Sequence, residues 1–364
     1  MRAIVDAKEF SQALDRVSKT VKKEVFPILE GVLVRIQNGR CTLTGTDFYT
    51  WLTASLSAEG DELSFVFQRP KDAARACGHF EGRLILETEE KDNGKDHWLQ
   101  LTMSCGPRWA QVTAFLPEDY PDMPKVEAKY TYTVNAAHLL ERVDRVKYAL
   151  RKPDDKLEAK FTHVQFGGSK VFCVDGCRLA WDVDDSLTVH QPFMVMPEAL
   201  GYLKFFGNQD ITVSMGVNYL KMTDGATVIQ TRIEGPPVFN MDKAVPTEFT
   251  EEFYICPKDF LGELDYLKKL LRSTEKPYIY FSGGMLSMAA ASGSYSTEVQ
   301  IDGESSIRFG FNLSYMVDAL RQFRGEPAVK MKVSSSAAPI VLEAEGRGDF
   351  AMVLPVQSRR TAAA

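Results

Sequence analysis

Apolar residues recur at steps of four, three and four in three places: Phe10, Leu14, Val17 and Val21; Leu139, Val143, Val146 and Leu150; Phe260, Leu264, Leu267 and Leu271. At 100° per residue each set falls in a stripe about 60° wide, so each predicts an amphipathic helix with one buried face. These helices are expected over 8–23, 137–152 and 258–272. Behind each comes a pair of strand-like runs: VLVRI and CTLTG, THVQF and VFCVD, YIYFS and LSMAA. Turn segments rich in Gly, Asn or Ser (QNGR, GGSK, GGM) join the pairs as hairpins. A short strand with a Phe-x-apolar opening follows at Phe65, Phe193 and Phe309, then a second helix near 70–80, 197–206 and 312–324. The closing strands RLILE, DITVS and VKMKV complete each copy.

The chain therefore reads as three diverged copies of one α+β unit: helix, strands, helix, strands, with mostly antiparallel pairing. Proline and charge gather at LPEDYPDMPKVEAK (116–129) and AVPTEFTEE (244–252), which places domains at 1–125, 126–247 and 248–364. The tail SRRTAAA is expected to fray.

Composition changes this picture little. With 364 residues, 45% apolar and 25% charged, the chain is long enough for two or three ordinary cores. Its longest apolar runs fall well short of the roughly 18 residues of a membrane span, and MRAIVDAKEF lacks a secretory pattern. The expectation is a cytoplasmic protein with no membrane partner. The six cysteines (Cys41, Cys77, Cys105, Cys173, Cys177, Cys256) form no CxxC pair and read as reduced thiols. The five histidines have no zinc-ligand spacing, so no metal and no cofactor is expected.

Charge matters more. The net charge is −6, which by itself argues against nucleic acid as a partner. Yet the six predicted helices hold about 20 Lys/Arg against about 10 Asp/Glu, so the acid lies outside them. Arg16, Lys19, Lys22 and Lys23 lie opposite the first apolar stripe. Twelve residues after the first stripe position every copy carries a base: Lys22, Arg151 and Arg272. One basic stripe is ordinarily a solvated helix face. The same bias on six helices of an acidic protein suits sequence-independent contact with a phosphate backbone.

Catalysis finds little support. There is no GxxxxGK[ST], GxSxG or HExxH. Asp47 and Asp175 could serve as acids, but both sit in strand–turn segments where a structural role suffices.

Several segments, in this order, resemble the bacterial beta sliding clamp family over essentially the whole chain. They are FPILEGVLVRI, LTGTDFYTWL, FLPEDYPDMP, VDGCRLAW, FNLSYMVDAL and the terminal AMVLPVQ. The resemblance implies three clamp domains, each with two helices packed on antiparallel sheet. Two chains would join head to tail as a homodimer, closing a ring around double-stranded DNA. It implies a non-catalytic processivity factor that is opened by a clamp loader and that tethers the replicative DNA polymerase and repair polymerases through short peptide motifs. An alternative within the same fold is a clamp paralogue or resistance variant with altered partners.

The resemblance also implies site residues. A partner-peptide pocket would use Val174, Gly176, Cys177, Arg178 and Leu179 from VDGCRL, and Phe239 and Ala244 from the second connector. Met352, Leu354, Pro355 and Val356 would come from the last strand. Cys177 stands where the family has histidine and Gln357 where it has arginine. In PPVFNMDKAVP the prolines fall early, which bears on peptide preference. Leu270 and Leu271 match a hydrophobic pair at the ring interface, with Trp109 in RWAQVTAF as its counterpart. For DNA, Lys23 matches a basic position of the family. Arg16, Lys19, Lys22, Arg151, Lys152, Lys269 and Arg272 follow from charge and helix phase.

Overall fold

The computed structural model describes residues 1–22, 26–94, 97–152, 156–235, 239–271, 276–289 and 296–356. Among these are seven α-helices: α1 (Ala7–Val17), α2 (Pro70–Cys77), α3 (Ala136–Val146), α4 (Pro197–Leu200), α5 (Met241–Ala244), α6 (Pro257–Leu270) and α7 (Leu313–Arg321). Each predicted stripe packs inward: Phe10, Leu14 and Val17 on α1, Leu139, Val143 and Val146 on α3, Phe260, Leu264 and Leu267 on α6 are all buried. The fourth stripe position falls at or past the helix end in every copy. In α1 the Ser18 and Thr20 hydroxyls donate to the carbonyls of Asp15 and Val17, and the helix stops short of Val21. In the second copy the helix gives way to a 3-10 turn, Lys147–Ala149. In the third, Leu271 is the C-cap of α6. Of the second helices, the middle one is mostly 3-10: α4 is one turn, continued by Gly201–Phe206.

The predicted hairpins form. Val32–Gln37 pairs with Arg40–Thr46, Val164–Gly168 with Lys170–Val174, and Tyr278–Ser282 with Met285–Ala289, all antiparallel. Asn38 (φ 52°) and Gly39 (φ 73°) supply the two left-handed residues that a tight hairpin turn needs.

The sheets divide the chain differently from the repeat. Two compact units emerge, residues 1–139 with 198–233, and residues 140–197 with 234–364. The contacts group the chain in this way because the strands of the middle copy are distributed between two sheets. In the first unit a twelve-stranded sheet runs from the strands of the first copy through Thr50–Gly60 onto Thr227–Arg232, then Tyr219–Thr223, Asp210–Met215 and Tyr130–Asn135. Thr50–Gly60 also reaches back to Arg2–Asp6 (Ala3↔Gly60), closing the eight strands of the first copy on themselves. In the second unit an eight-stranded sheet joins Arg178–Val183 to Asp349–Val353 with register Leu179↔Met352, and a four-stranded sheet holds the rest of the third copy.

One pairing rule recurs. The strand after the hairpin of one copy pairs with the closing strand of the next copy: Thr50–Gly60 with Thr227–Arg232, and Arg178–Val183 with Asp349–Val353. The matching strand of the third copy is Ser296–Gln300, which among the described residues pairs on one side only, with Met285–Ala289. The closing strand of the first copy, Arg108–Phe115, pairs along one side with His97–Cys105. On its other side only Ala114 and Phe115 are paired. Among the described residues these two edges have no partner of that kind.

Candidate functional site

The segment VDGCRL forms a turn set by one carboxylate. Asp175 Oδ1 accepts hydrogen bonds from the backbone N–H of Cys177 (2.8 Å) and of Arg178 (2.6 Å). Gly176 sits at φ 86°, where a side chain would be strained. Arg178 donates from Nε to Asp175 Oδ2 (2.8 Å) and from Nη1 to Asp318 Oδ2 on α7 (2.8 Å). The Tyr315 ring lies 4.4 Å and the Tyr148 ring 5.8 Å from its guanidinium carbon. Burial, ahead of the charges around it, raises the Tyr315 hydroxyl pKa above its ordinary value. Arg178 is thus a buried brace tying the turn to α7, and not a wall open to solvent.

Beside this turn the paired strands build an apolar floor. Val174, Leu179, Val341, Phe350 and Met352 are buried, and half-buried Phe161, Trp181, Phe239, Met241, Val245 and Phe249 pack against them. Trp181 and Phe350 stack at 3.7 Å. Ala244 ends the short α5, capped by Asn240, between Met241 and Val245. After the last strand the chain stays tethered: Leu354 N–H donates to the Cys177 carbonyl (2.8 Å) and Val356 N–H to Gly310 (2.9 Å). A side chain at Gly310 would collide with the Tyr280 ring and crowd Val356. The Leu354 side chain remains exposed.

Three segments far apart in sequence therefore meet. Val174, Leu179, Phe239 and Met352 share the apolar cluster, Gly176, Cys177 and Arg178 form its turn, and Ala244, Leu354, Pro355 and Val356 flank it. Sequence reasoning missed Phe161, Trp181, Val341 and Phe350, which look like ordinary strand or turn residues until the register is known. It also missed Asp318, the second anchor of Arg178. Gln357 lies outside the described residues.

No protein-family model matches the chain. Curated relatives do. The chain is 19% identical over 355 residues to the beta sliding clamp of Pseudomonas aeruginosa, covering 92% of this chain and 94% of that one. It is 22% identical to the beta sliding clamp of Proteus mirabilis, covering 94% and 96%. Among solved structures it is similar to a putative DNA polymerase III beta subunit from Eubacterium rectale (TM-score 0.86, 18% identity, 98% of this chain and 99% of that one). It is also similar to the sliding clamp of Bacillus subtilis (TM-score 0.85, 14% identity, 98% and 99%). The chain is a homologue of the bacterial beta sliding clamps.

The Asp175 turn has a counterpart in the first copy. Asp47 Oδ1 accepts from Tyr49 N–H (3.2 Å) and Thr50 N–H (2.8 Å), as Asp175 does from Cys177 and Arg178. Both carboxylates hold turns, which suits the structural reading of these acids. The repeated base braces each turn: Lys22 Nζ lies 2.8 Å from Asp47 Oδ2, and Arg151 Nε donates to the Asp175 carbonyl (2.6 Å) while its guanidinium covers Phe161. The hydrogen bond that Lys22 donates to Asp47 raises the Lys22 pKa above its ordinary value. Lys23 and Arg272 lie outside the described residues.

The helix bases divide by environment. Lys19, Lys22, Arg151, Lys152 and Lys269 are exposed and Arg16 is half-buried, so each can reach solvent. Lys19 also pairs with Asp15 and Lys147 with Asp144. Arg142, one of the bases in the helix charge count, is buried and paired with Asp182 (2.9 Å), forty residues away and invisible to helix phase. The surface excess of positive charge is accordingly smaller than that count. At the expected interface positions Trp109 is 69% and Leu270 38% exposed, whereas Leu271 packs against the core of the third copy.

Proposed function

We propose that this chain is a DNA sliding clamp: two copies close head to tail into a ring that encircles duplex DNA and tethers a DNA polymerase to it. The observation that carries the ring is the pairing rule. Two of its three junctions are made inside the chain, and the edges left over, Ser296–Gln300 and Arg108–Phe115, are the two halves of the third. Pairing them between copies satisfies their outward N–H and C=O groups and removes two exposed edges. Charge favours the match. Glu298 lies on one edge, and Gln300 at the end of the same strand lines a cavity of about 310 Å³ together with Asp259, Glu263 and Asp302. Arg108 opens the other, held by the His79 carbonyl just after α2. In this reading the chain comprises three domains, 1–125, 126–247 and 248–364. Trp109 and Leu270 lie at the interface, and the exposed bases Lys19, Lys22, Arg151, Lys152 and Lys269 face the phosphates.

A ring holds DNA by topology and needs no tight contact. The purified protein, loaded on a nicked circular plasmid by a clamp loader, should stay bound through gel filtration and run off once the plasmid is linearised. Equal retention on both forms would rule out encirclement.

The groove on VDGCRL is read as the docking site for polymerase, clamp-loader and repair-polymerase peptides. Its apolar floor suits aliphatic and aromatic anchors, and the exposed Leu354 is a wall that a peptide can cover. Met352→Ala with Leu354→Ala should weaken a fluorescent polymerase-tail peptide about tenfold or more in a polarisation titration. Light scattering should still find dimers. Unaltered peptide affinity would move the docking site elsewhere.

A further inference from the structure

We propose that the first copy of the repeat carries a second docking groove, one that takes a short peptide whose aromatic or aliphatic anchor is followed by lysines or arginines. Three of its walls correspond to elements beside VDGCRL, the 3-10 turn, the Asp turn and the connector, within the other compact unit. A 3-10 turn (Pro27–Glu30), the Asp47 turn and the connector after Arg108–Phe115 enclose a cavity of about 580 Å³. Its lining is apolar: Phe26, Ile28, Phe48, Phe115, Leu116 and Pro121. Phe26 is 62% and Phe48 39% exposed, their rings in edge contact at 6.5 Å. Phe48 occupies the position that Gly176 holds in the other turn, at φ 66°, a conformation that side chains rarely adopt. Glycine suits that backbone, yet an aromatic ring is presented to the cavity.

Charge names the occupant. Leu116 also lines a second cavity of about 570 Å³, which carries Glu62, Glu89, Glu90 and Glu118, while Asp119 lines the first. Against these five carboxylates the lining residues offer the Met1 ammonium and His97, and Lys91 is bonded to Glu89. An apolar slot that shares Leu116 with a glutamate-lined cavity complements an anchor followed by positive charge. It repels nucleic acid and the acidic flanks of a peptide.

The full chain would be titrated with the fluorescein-labelled peptides LFGKRK and LFGEDE. LFGKRK should bind with an affinity that falls with added salt, and LFGEDE at least ~10-fold more weakly. Phe48→Gly, which relieves the backbone while deleting the anchor wall, should weaken LFGKRK by about tenfold. Glu62→Gln with Glu118→Gln should narrow the difference between the two peptides. Met352→Ala with Leu354→Ala should leave LFGKRK binding unchanged, which separates this groove from the other one. Equal affinity for both peptides, indifference to Phe48→Gly, or loss of binding in the Met352/Leu354 variant would each overturn the proposal. So would displacement of LFGKRK by oligothymidine, or a change in oligomer mass caused by Phe48→Gly, since these would assign the groove to nucleobases or to a second copy.

Discussion

Asp182→Ala should be among the most damaging single changes to stability in the chain, lowering it by about 3–5 kcal/mol, because it strips the counter-charge from a buried arginine. Asp182 lies on Arg178–Val183, the strand that follows the Asp175 turn. It accepts from Arg142 Nε (2.9 Å) and Arg145 Nη1 (3.3 Å). Arg142 is only 1% exposed. Its remaining contacts are carbonyls, Ser169 at 2.7 Å and Asp182 itself, and its Nη1 finds no hydrogen-bond partner among the described residues. Removing the carboxylate leaves a buried cation with no counter-charge. Melting followed by circular dichroism should fall by roughly 10 °C. Asp182→Leu combined with Arg142→Met removes both charges and should recover most of the loss. A single change costing under ~1 kcal/mol would mean that Arg142 is solvated in solution.

Trp109→Asp should abolish the dimer at micromolar concentration, weakening association by at least ~100-fold. The indole is 69% exposed on a strand whose other edge is, among the described residues, paired only at Ala114 and Phe115, an arrangement that is tolerated poorly unless something covers it. A carboxylate there would face the glutamate of Ser296–Gln300 across the proposed junction, adding like-charge repulsion to the lost contact. Light scattering should report a single-chain mass, and retention on circular DNA should vanish with it. A variant that keeps the dimer mass would place the junction on another surface. Leu270→Asp tests the same junction from the other copy and should act in the same direction.

Local structure was legible because it depends on near neighbours. The stripes at Phe10, Leu139 and Phe260 report a helix face through residues three and four apart, and Asn38-Gly39 reports a hairpin through backbone conformation alone. The helix ends were less legible. Ser18 and Thr20 stop α1 by bonding back to its carbonyls, a choice made among alternatives of nearly equal energy. Much of the candidate groove was also legible, through the resemblance carried by VDGCRLAW and AMVLPVQ. Its brace was not: Arg178 is locked by Asp318, 140 residues away, and no spacing rule links the two.

By itself the sequence determined that one α+β unit recurs three times, with buried helix faces, tight hairpins and a base at the same phase in each copy. Those properties follow from side-chain periodicity and turn chemistry within about 20 residues. Only the tertiary structure decided that the middle copy contributes strands to two different sheets, that Lys22 and Arg151 brace Asp turns, and that Arg142 is buried. It likewise decided which strand edges are left over. The reason is physical: strand partners and buried charges are chosen by contacts between segments a hundred or more residues apart. Any strand with the right alternation could fill each place, and only the packed chain selects one.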